Sequence, residues 1–336
     1  MFSGHKATSR AKRCLKYGTN SEKFIKCFVG SLVIPPPPPD PFTLISQLKS
    51  TPVSMIYDNN NNLYVTVDVP NSGIFIIKPN SLTPVLWESS QPTILNLPVA
   101  MCFNPSFTEM YVVDFGNSKI FIINVATGII IRTITNADLV YDNPYFTSGP
   151  LQACNGGALD SSSTYLYVTN TDPNWNNVIR IKLAPDQNQK FDTTLVAIIA
   201  YPILICNNKI NNSFFVSSLT TNSVYIITNE GISYPYITGG EISEPRGVTV
   251  DNNCRTLFVT NYNKNGTTNA EINYISVYNI TNINSPTFLF NITGSVLSLP
   301  RGVCFNYNNN NNAIISNFQS KTIYSCNLTQ YVKNLQ

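Results

Sequence analysis

Histidine, charged residues and long apolar runs are scarce in this sequence of 336 residues. It contains one histidine, His5, and 12% charged residues, about half the usual share of a globular protein. Beyond residue 5 the sequence therefore excludes a Ser-His-Asp triad, a Cys–His nucleophile pair and a histidine-ligated metal. The longest apolar run, residues 194–206, has about 13 residues and contains Pro202, so it is too short for a transmembrane helix.

The eight cysteines lack the spacing of a zinc site. Cys102 and Cys304 occupy the same place in two copies of a repeat, and Cys206 lies similarly in a third copy. Equivalent positions in separate units favour thiols that pack as small apolar side chains over disulfide bonds. We predict no metal or other cofactor.

Basic charge is concentrated at one end of the chain. Residues 1–27 contain seven lysines and arginines and one glutamate, a net charge of about +6, which leaves about −3 for the rest. We predict a basic flexible tail at residues 1–34, which would serve as a tether, a nucleic-acid arm or a transit peptide. Residues 35–41 read PPPPPDP, which is typical of a stiff polyproline spacer. The apolar stretch 28–34 lacks a cleavage site, so we expect an intracellular protein or a component of a larger particle.

A unit of roughly 50 residues recurs six times from residue 42 onward. Its anchor is a Leu-Tyr-Val-Thr-like run, which begins at Leu63, Met110, Leu166, Phe214, Leu257 and Ala313. The anchor is the second strand of each copy. A first strand-like segment precedes it, a third follows it, and a looser fourth ends most copies. About 50 residues fit four short strands with their turns, which is one propeller blade. The sequence therefore predicts an all-β, six-bladed propeller of four-stranded antiparallel blades over residues 42–336.

The sixth copy is too short to supply its own fourth strand. We expect residues 42–46 to fill that place and close the ring, since an open propeller would expose a sheet edge; residues 331–335 are the alternative. About 45 asparagines suit the many turns of such a fold. The runs 59–62 and 308–312 are predicted to be turns between first and second strands.

These copies resemble a known repeat. The pattern consists of Pro-x-Gly-Val, a turn, Leu-Tyr-Val-Thr followed by Asp or Asn, and then Ile-x-Ile. It is similar to the NHL repeat of six-bladed β-propellers. The best copies are Pro245–Tyr278, Pro300–Cys326 and Pro98–Asn124, whereas the third copy replaces the Pro-x-Gly turn with Asn155-Gly156-Gly157. The resemblance implies the fold but no single activity, because such propellers serve as RNA binders, protein scaffolds, lyases and lactonases.

Two arginines stand out against the repeat. Arg246 and Arg301 occupy the variable position of Pro-x-Gly-Val in the last two copies, which should place both at one mouth of the central channel. We predict an anion site for a carboxylate, a phosphate or an acidic side chain of a partner. The competing interpretation is that each arginine pairs with a nearby acid such as Glu241, Glu244 or Asp251.

Short polar residues end every anchor strand, and they would form either a ring of metal ligands or a set of structural braces. They are Asp68, Asp114, Asn170, Ser218, Asn261 and Asn317. We predict braces between the second and third strands, because such side chains can bond backbone amides in the following turn and carboxylates are few. Turn capping explains Asp58, Asp160 and Asp251 in the same way.

Three classes of function remain. We expect a non-enzymatic interaction propeller that binds a protein or peptide on its channel face and uses the tail for tethering. A lyase or lactonase acting at the axial mouth is one alternative, and nucleic-acid binding through residues 1–27 is the other. Nucleic acid is disfavoured for the rest of the chain, because its charge of about −3 offers no broad basic face.

Overall fold

Runs of β-branched and aromatic residues, separated by polar turns, form six antiparallel sheets in sequence order. The computed structural model describes residues 40–332 apart from 69, 80, 82, 88–93, 173, 186, 265–270 and 307–308, and only the backbone of 263–264, 271–272, 310 and 332. Each sheet is one blade, so the predicted six-bladed propeller is confirmed. The predicted tail, and the spacer up to residue 39, lie outside the described residues.

The strands of each blade run from the innermost to the outermost in chain order. Blade one contains β2 (Pro52–Tyr57), β3 (Leu63–Val67), β4 (Gly73–Ile77) and β5 (Val85–Leu86), and blade two contains β6 (Pro98–Phe103), β7 (Glu109–Asp114), β8 (Lys119–Asn124) and β9 (Ile130–Ile134). Blade three contains β11 (Cys154–Leu159), β12 (Tyr165–Asn170), β13 (Asn177–Lys182) and β14 (Phe191–Ile198), and blade four contains β15 (Pro202–Asn208), β16 (Ser213–Ser218), β17 (Ser223–Ile227) and β18 (Ser233–Thr238). Blade five contains β19 (Pro245–Val250), β20 (Thr256–Lys264), β21 (Glu271–Asn279) and β22 (Thr287–Thr293), and blade six contains β23 (Pro300–Asn306), β24 (Asn309–Asn317) and β25 (Thr322–Asn327).

The ring is closed by the N-terminal strand of the described chain. Strand β1 (Phe42–Gln47) pairs antiparallel with β25 and forms the outer edge of blade six. The predicted closure is therefore confirmed, and the alternative is wrong because β1 already occupies that edge. Thr329–Val332 instead form a short α-helix, and residues 333–335 lie outside the described chain.

Two local features differ from the prediction. Blade three has a fifth strand, β10 (Leu139–Val140), which pairs parallel with β14 after a 3-10 helix at Asn136–Asp138. Residues 309–312 of the second asparagine run are not a turn but the start of β24, because Asn312 pairs with Asn327 of the neighbouring strand. The first run does form a turn, which the Asp58 carboxylate caps by accepting the N–H groups of Asn60 and Asn62.

The core lies between the blades, and the second strands are its most buried elements. All residues of β3 and β16 are buried, as are the last five of β7 and β12. Val65, Val112 and Val168 have no exposed surface, so both faces of these strands pack against neighbouring sheets. No helix within the described part of the chain is long and apolar enough to cross a membrane.

Candidate binding site at the channel mouth

The inner strands line a central channel with two different ends. Pro245 at the start of β19 pairs with Asn261, whereas Val250 near its other end pairs with Leu257. We call the side on which first strands begin and second strands end the entry face. The opposite side, where turns join first to second strands, is the turn face.

Glycine in the Pro-x-Gly-Val motif permits a close approach between inner strands. A Cβ on Gly247 would lie 2.1 Å from the carbonyl oxygen of Arg301, and one on Gly302 would lie 2.9 Å from that of Val53. Backbone atoms cannot move aside as a flexible side chain can. The motif therefore needs glycine for packing.

A hydroxyl of the second strand links each of these close contacts. Thr260 Oγ1 accepts the N–H of Gly247 at 2.6 Å and donates to the carbonyl of Arg301, in the next blade, at 3.2 Å. Ser217 Oγ similarly accepts the N–H of Leu204 and donates to the carbonyl of Arg246 at 2.7 Å. Equivalent bridges are made by Thr169 to Ile203 and by Ser316 to Val53. We call this set of buried hydroxyls the hydroxyl belt.

The belt fixes the backbones of both candidate arginines through their carbonyl groups, and it was not predicted from the sequence. The signal was present, because five of the six Leu-Tyr-Val-Thr-like runs have Ser or Thr at this belt position. Four of these hydroxyls form a bridge to the next blade, whereas Thr66 bonds Ser54 of its own blade. Blade two is different, because Val113 replaces the hydroxyl. There Gly157 of blade three leaves room for valine, since a Cβ on Gly157 would lie 2.5 Å from Val113 Cγ2.

Both arginines lie at the entry-face mouth, where they stack on aromatic rings. Arg246 Cζ is 5.9 Å from the ring centroid of Tyr262, and Arg301 Cζ is 5.0 Å from that of Phe318. These cation–π contacts hold the two guanidinium planes.

Arg301 has an electrostatic environment that is unusual for arginine. Its Nε is buried and has no hydrogen-bond partner among the residues that the structure describes. Burial, followed by the positive charge of Arg246, lowers the pKa of Arg301 to about 10, while Asp68 acts in the opposite direction. Desolvation and a like charge both disfavour the charged guanidinium, whereas the Asp68 carboxylate favours it.

The acids considered as alternative partners of the two arginines do not pair with them. Glu241 Oε2 accepts from Asn291 Nδ2 at 2.6 Å. Asp251 lies at the turn face, where its Oδ1 accepts the N–H groups of Arg255 and Thr256. Across the described chain, neither arginine forms an ion pair with Glu241, Glu244 or Asp251.

The polar ends of the second strands are braces. Asp114 Oδ2 accepts the N–H of Asn96 at 2.7 Å and Oδ1 that of Asn117 at 2.9 Å. Asn261 and Asn317 accept the N–H groups of Ser243 and Ser298. The predicted bond to the following turn is confirmed at Asp114, whereas Asn261 and Asn317 hold the segment before the first strand of their blade.

Asp114 is the one brace of this kind with a strongly shifted pKa. Burial raises the pKa of Asp114 to about 6, although the two backbone N–H groups and Lys119 act against the shift. Among the residues that the structure describes, no three His, Cys, Asp or Glu side chains lie close enough together to hold a metal ion.

Two elaborations enlarge the entry face. The β20–β21 hairpin has nine residues in each strand and extends Tyr262 beyond the Asn261 level. In blade three, the segment before β11 places Tyr145 against Trp175, with ring centroids 4.9 Å apart.

Comparison with known proteins shows the fold and nothing finer. No family model matches the chain, and no curated protein matches it, so membership of the NHL family stays a prediction. A protein of unknown function from Bacteroides thetaiotaomicron aligns with TM-score 0.61 and 12% identity over 85% of this chain and 75% of that one. A catalytically inactive histidine-to-alanine variant of virginiamycin B lyase from Staphylococcus aureus, with quinupristin, aligns with TM-score 0.55 and 15% identity over 85% and 99%. A chain of a nidogen/laminin complex aligns with TM-score 0.57 and 13% identity over 77% and 87%.

Proposed function

We propose that this propeller is a non-enzymatic interaction protein that holds an anionic group of a protein or peptide partner at the entry-face mouth. Arg246 and Arg301 bind the anion. The observation that carries the proposal is the buried, unpartnered Nε of Arg301 beside a second guanidinium. A carboxylate or phosphate beside the partly exposed Arg301 side chain would offset the repulsion between the two cations.

The surroundings of the pair favour a macromolecular partner. Tyr262 and Phe318 orient the two guanidinium planes, so less side-chain entropy is lost on binding. The long β20–β21 hairpin and the blade-three segment add surface around the mouth. The tail at residues 1–34 would tether the propeller to a larger assembly.

The enzyme alternative has weaker support. The virginiamycin B lyase variant named above is described as catalytically inactive after a histidine-to-alanine change, and the only histidine of this chain is His5. Burial raises the pKa of Cys102 to about 12 and that of Cys154 to about 12, which keeps these thiols protonated and poorly nucleophilic. Nucleic-acid binding would depend on residues 1–27, which lie outside the described chain.

Peptide binding by the full chain tests the proposal. Fluorescence anisotropy would compare labelled peptides rich in Asp and Glu with matched peptides carrying Asn and Gln. We expect the charged set to bind, and Arg246→Gln with Arg301→Gln to weaken that binding at least about tenfold, since one charge-assisted hydrogen bond is worth about 1.5–3 kcal/mol.

The matched control is Arg132→Gln with Arg180→Gln, which removes two arginines from blades two and three. Arg132 already donates to the carbonyl of Gln189 at 2.8 Å, and Arg180 lies 5.0 Å from the ring of Tyr165. Equal binding of the charged and neutral peptides, or equal losses in the two double variants, would refute the proposal.

A further inference from the structure

The turn-face end of the channel contains a cavity of about 430 Å³. This volume lies in the range of about 300–1,000 Å³ that small-molecule sites occupy. Gly247 and Gly302 are among its lining residues, whereas Arg246 and Arg301 are not. The cavity is therefore separate from the arginine mouth, although both lie on the same axis.

One level of the inner strands gives the cavity its width. The residues at this level are those paired with the second residue of each Leu-Tyr-Val-Thr-like run, as Cys102 is with Tyr111 and Cys304 with Ile314. Around the ring they are Ile56, Cys102, Ala158, Cys206, Thr249 and Cys304. Five of the six are small, so space remains at the axis.

The wall of the cavity is mostly apolar. Burial raises the pKa values of the Cys102, Cys206 and Cys304 thiols, so all three are neutral at physiological pH and behave as small apolar groups. Phe103 and Phe107 add two aromatic rings, whose centroids are 5.4 Å apart. The three thiols and the two aromatic rings would contact the hydrophobic part of a ligand.

The charged groups around the rim differ in what they can still bind. Asp160 uses both oxygens internally, since Oδ1 accepts the N–H of Tyr165 and Oδ2 accepts from the hydroxyl of Ser162. Asp251 Oδ1 accepts two N–H groups of its own turn. Lys209 also lines the cavity, and within the described chain its ammonium has neither a hydrogen bond nor an ion pair.

Lys209 is placed to act on the cavity as a whole. It belongs to the turn of blade four, and its positive charge acts to lower the pKa of Cys102 in blade two, against the larger effect of burial. Tyr57 lines the cavity from blade one, and its hydroxyl has no hydrogen-bond partner in the part of the chain that the structure describes. A cation and a hydroxyl donor thus face a common apolar space.

We propose that the turn-face cavity binds a small organic anion, with an aromatic or aliphatic body against the thiols and Thr249 and its carboxylate or sulfonate at Lys209. This site is independent of the partner site proposed for the entry face.

Titration of the full chain with 1-anilinonaphthalene-8-sulfonate tests the site, because this probe joins an aromatic body to a sulfonate. We expect saturable fluorescence with one probe per chain. Lys209→Gln should weaken binding about tenfold, as loss of one charge-assisted contact predicts. Thr249→Leu should abolish binding by filling the cavity, and the thermal midpoint of each variant would be recorded to verify folding.

Two control variants locate the probe. Lys78→Gln removes an exposed lysine of another turn, and Arg301→Gln removes charge at the opposite mouth; both should leave probe affinity unchanged. Unsaturable binding, an unchanged affinity in Lys209→Gln, or a loss confined to Arg301→Gln would overturn the proposal. If Thr249→Leu does not fold, Lys209→Gln still decides the matter, because that side chain is exposed.

Discussion

Blade two and blade five solve the same packing problem with different chemistry. In blade five, Thr260 links Gly247 to the carbonyl of Arg301 through a buried hydroxyl. In blade two, Val113 stands at that position and packs against the space left by Gly157. Contacts between neighbouring blades are therefore polar in one part of the ring and apolar in another.

The comparison separates residues that serve the ring from residues that serve a site. Belt hydroxyls and braces recur because every blade must contact its neighbour, and glycine recurs beside them in blades three, five and six. Contact between neighbouring blades does not require Arg246 or Arg301, since Val53, Val99 and Ile203 occupy the same position in other blades. Only features that the packing does not require are candidates for function.

The two blades should differ most in the loss of unfolding free energy when Gly247 or Gly157 is replaced by alanine. Gly247→Ala forces a Cβ to 2.1 Å from a backbone oxygen, whereas Gly157→Ala meets a single valine methyl at 2.5 Å. We expect Gly247→Ala to cost more than about 4 kcal/mol or to prevent folding, and Gly157→Ala to cost about 1–3 kcal/mol. Urea unfolding measures both.

A second substitution shows whether each clash can be relieved. Val113→Ala in the Gly157→Ala background removes the only close neighbour, so it should recover most of the loss. Thr260→Ala in the Gly247→Ala background leaves the carbonyl of Arg301 in place, so it should recover nothing. Equal recovery in the two pairs would contradict the proposed difference between the blades.

Loss of the belt hydroxyl should have the next largest effect. Thr260→Val keeps the shape but leaves the buried N–H of Gly247 and the carbonyl of Arg301 without their bridge. We expect a loss of about 2–3 kcal/mol in the free energy of unfolding. Thr260→Ser retains the hydroxyl and is the control, and it should lose less than half as much. A Val variant as stable as the Ser variant would mean that the bridge contributes nothing.

Blade two has a carboxylate brace, Asp114, where blade five has the amide Asn261. We expect the contribution of Asp114 to the free energy of unfolding to depend on pH. The folded pKa of Asp114 is raised from 3.8 to about 6. Its contribution to stability is therefore complete below about pH 4 and is lost as the pH rises through 6. This loss is on the order of 3 kcal/mol.

Asp114→Asn removes that titration. Unfolding free energies of both proteins between pH 4 and pH 7 should show the wild type losing stability relative to the variant as the pH rises. Parallel profiles would mean that Asp114 has an ordinary pKa. Asn261→Ala is the control, since it removes a brace without a titrating group and should lower both ends of the profile equally.

The repeat was readable from the sequence because β-strand packing leaves a pattern at every copy. The Leu-Tyr-Val-Thr-like runs located all six second strands, and the short sixth copy predicted closure by the N-terminal strand. The fifth strand of blade three escaped prediction because Leu139–Val140 is only two residues long and depends on a partner distant in sequence. The asparagines at 309–312 misled because their strand pairing overrides their turn preference.

The candidate sites were readable to different degrees. Arg246 and Arg301 stood out because they break a repeat, and the structure adds the burial and mutual repulsion that sequence spacing cannot express. The turn-face cavity left no such signal. Small residues such as Ala158 and Thr249 are unremarkable alone, and their shared level around the axis exists only once the blades are closed into a ring.

The smallest effect on stability is expected at Arg301, which breaks no contact that the ring requires. Arg301→Met keeps an unbranched side chain against Phe318 and removes a buried cation beside Arg246. We expect stability to change by less than about 1 kcal/mol, because the desolvation and repulsion that lower the pKa of Arg301 offset its ring contact. The same substitution should weaken binding of acidic peptides at the entry face. Val99→Met, in blade two, is the matched control and should leave peptide binding unchanged. A large loss of stability in Arg301→Met would assign this arginine to the framework of the ring rather than to a site.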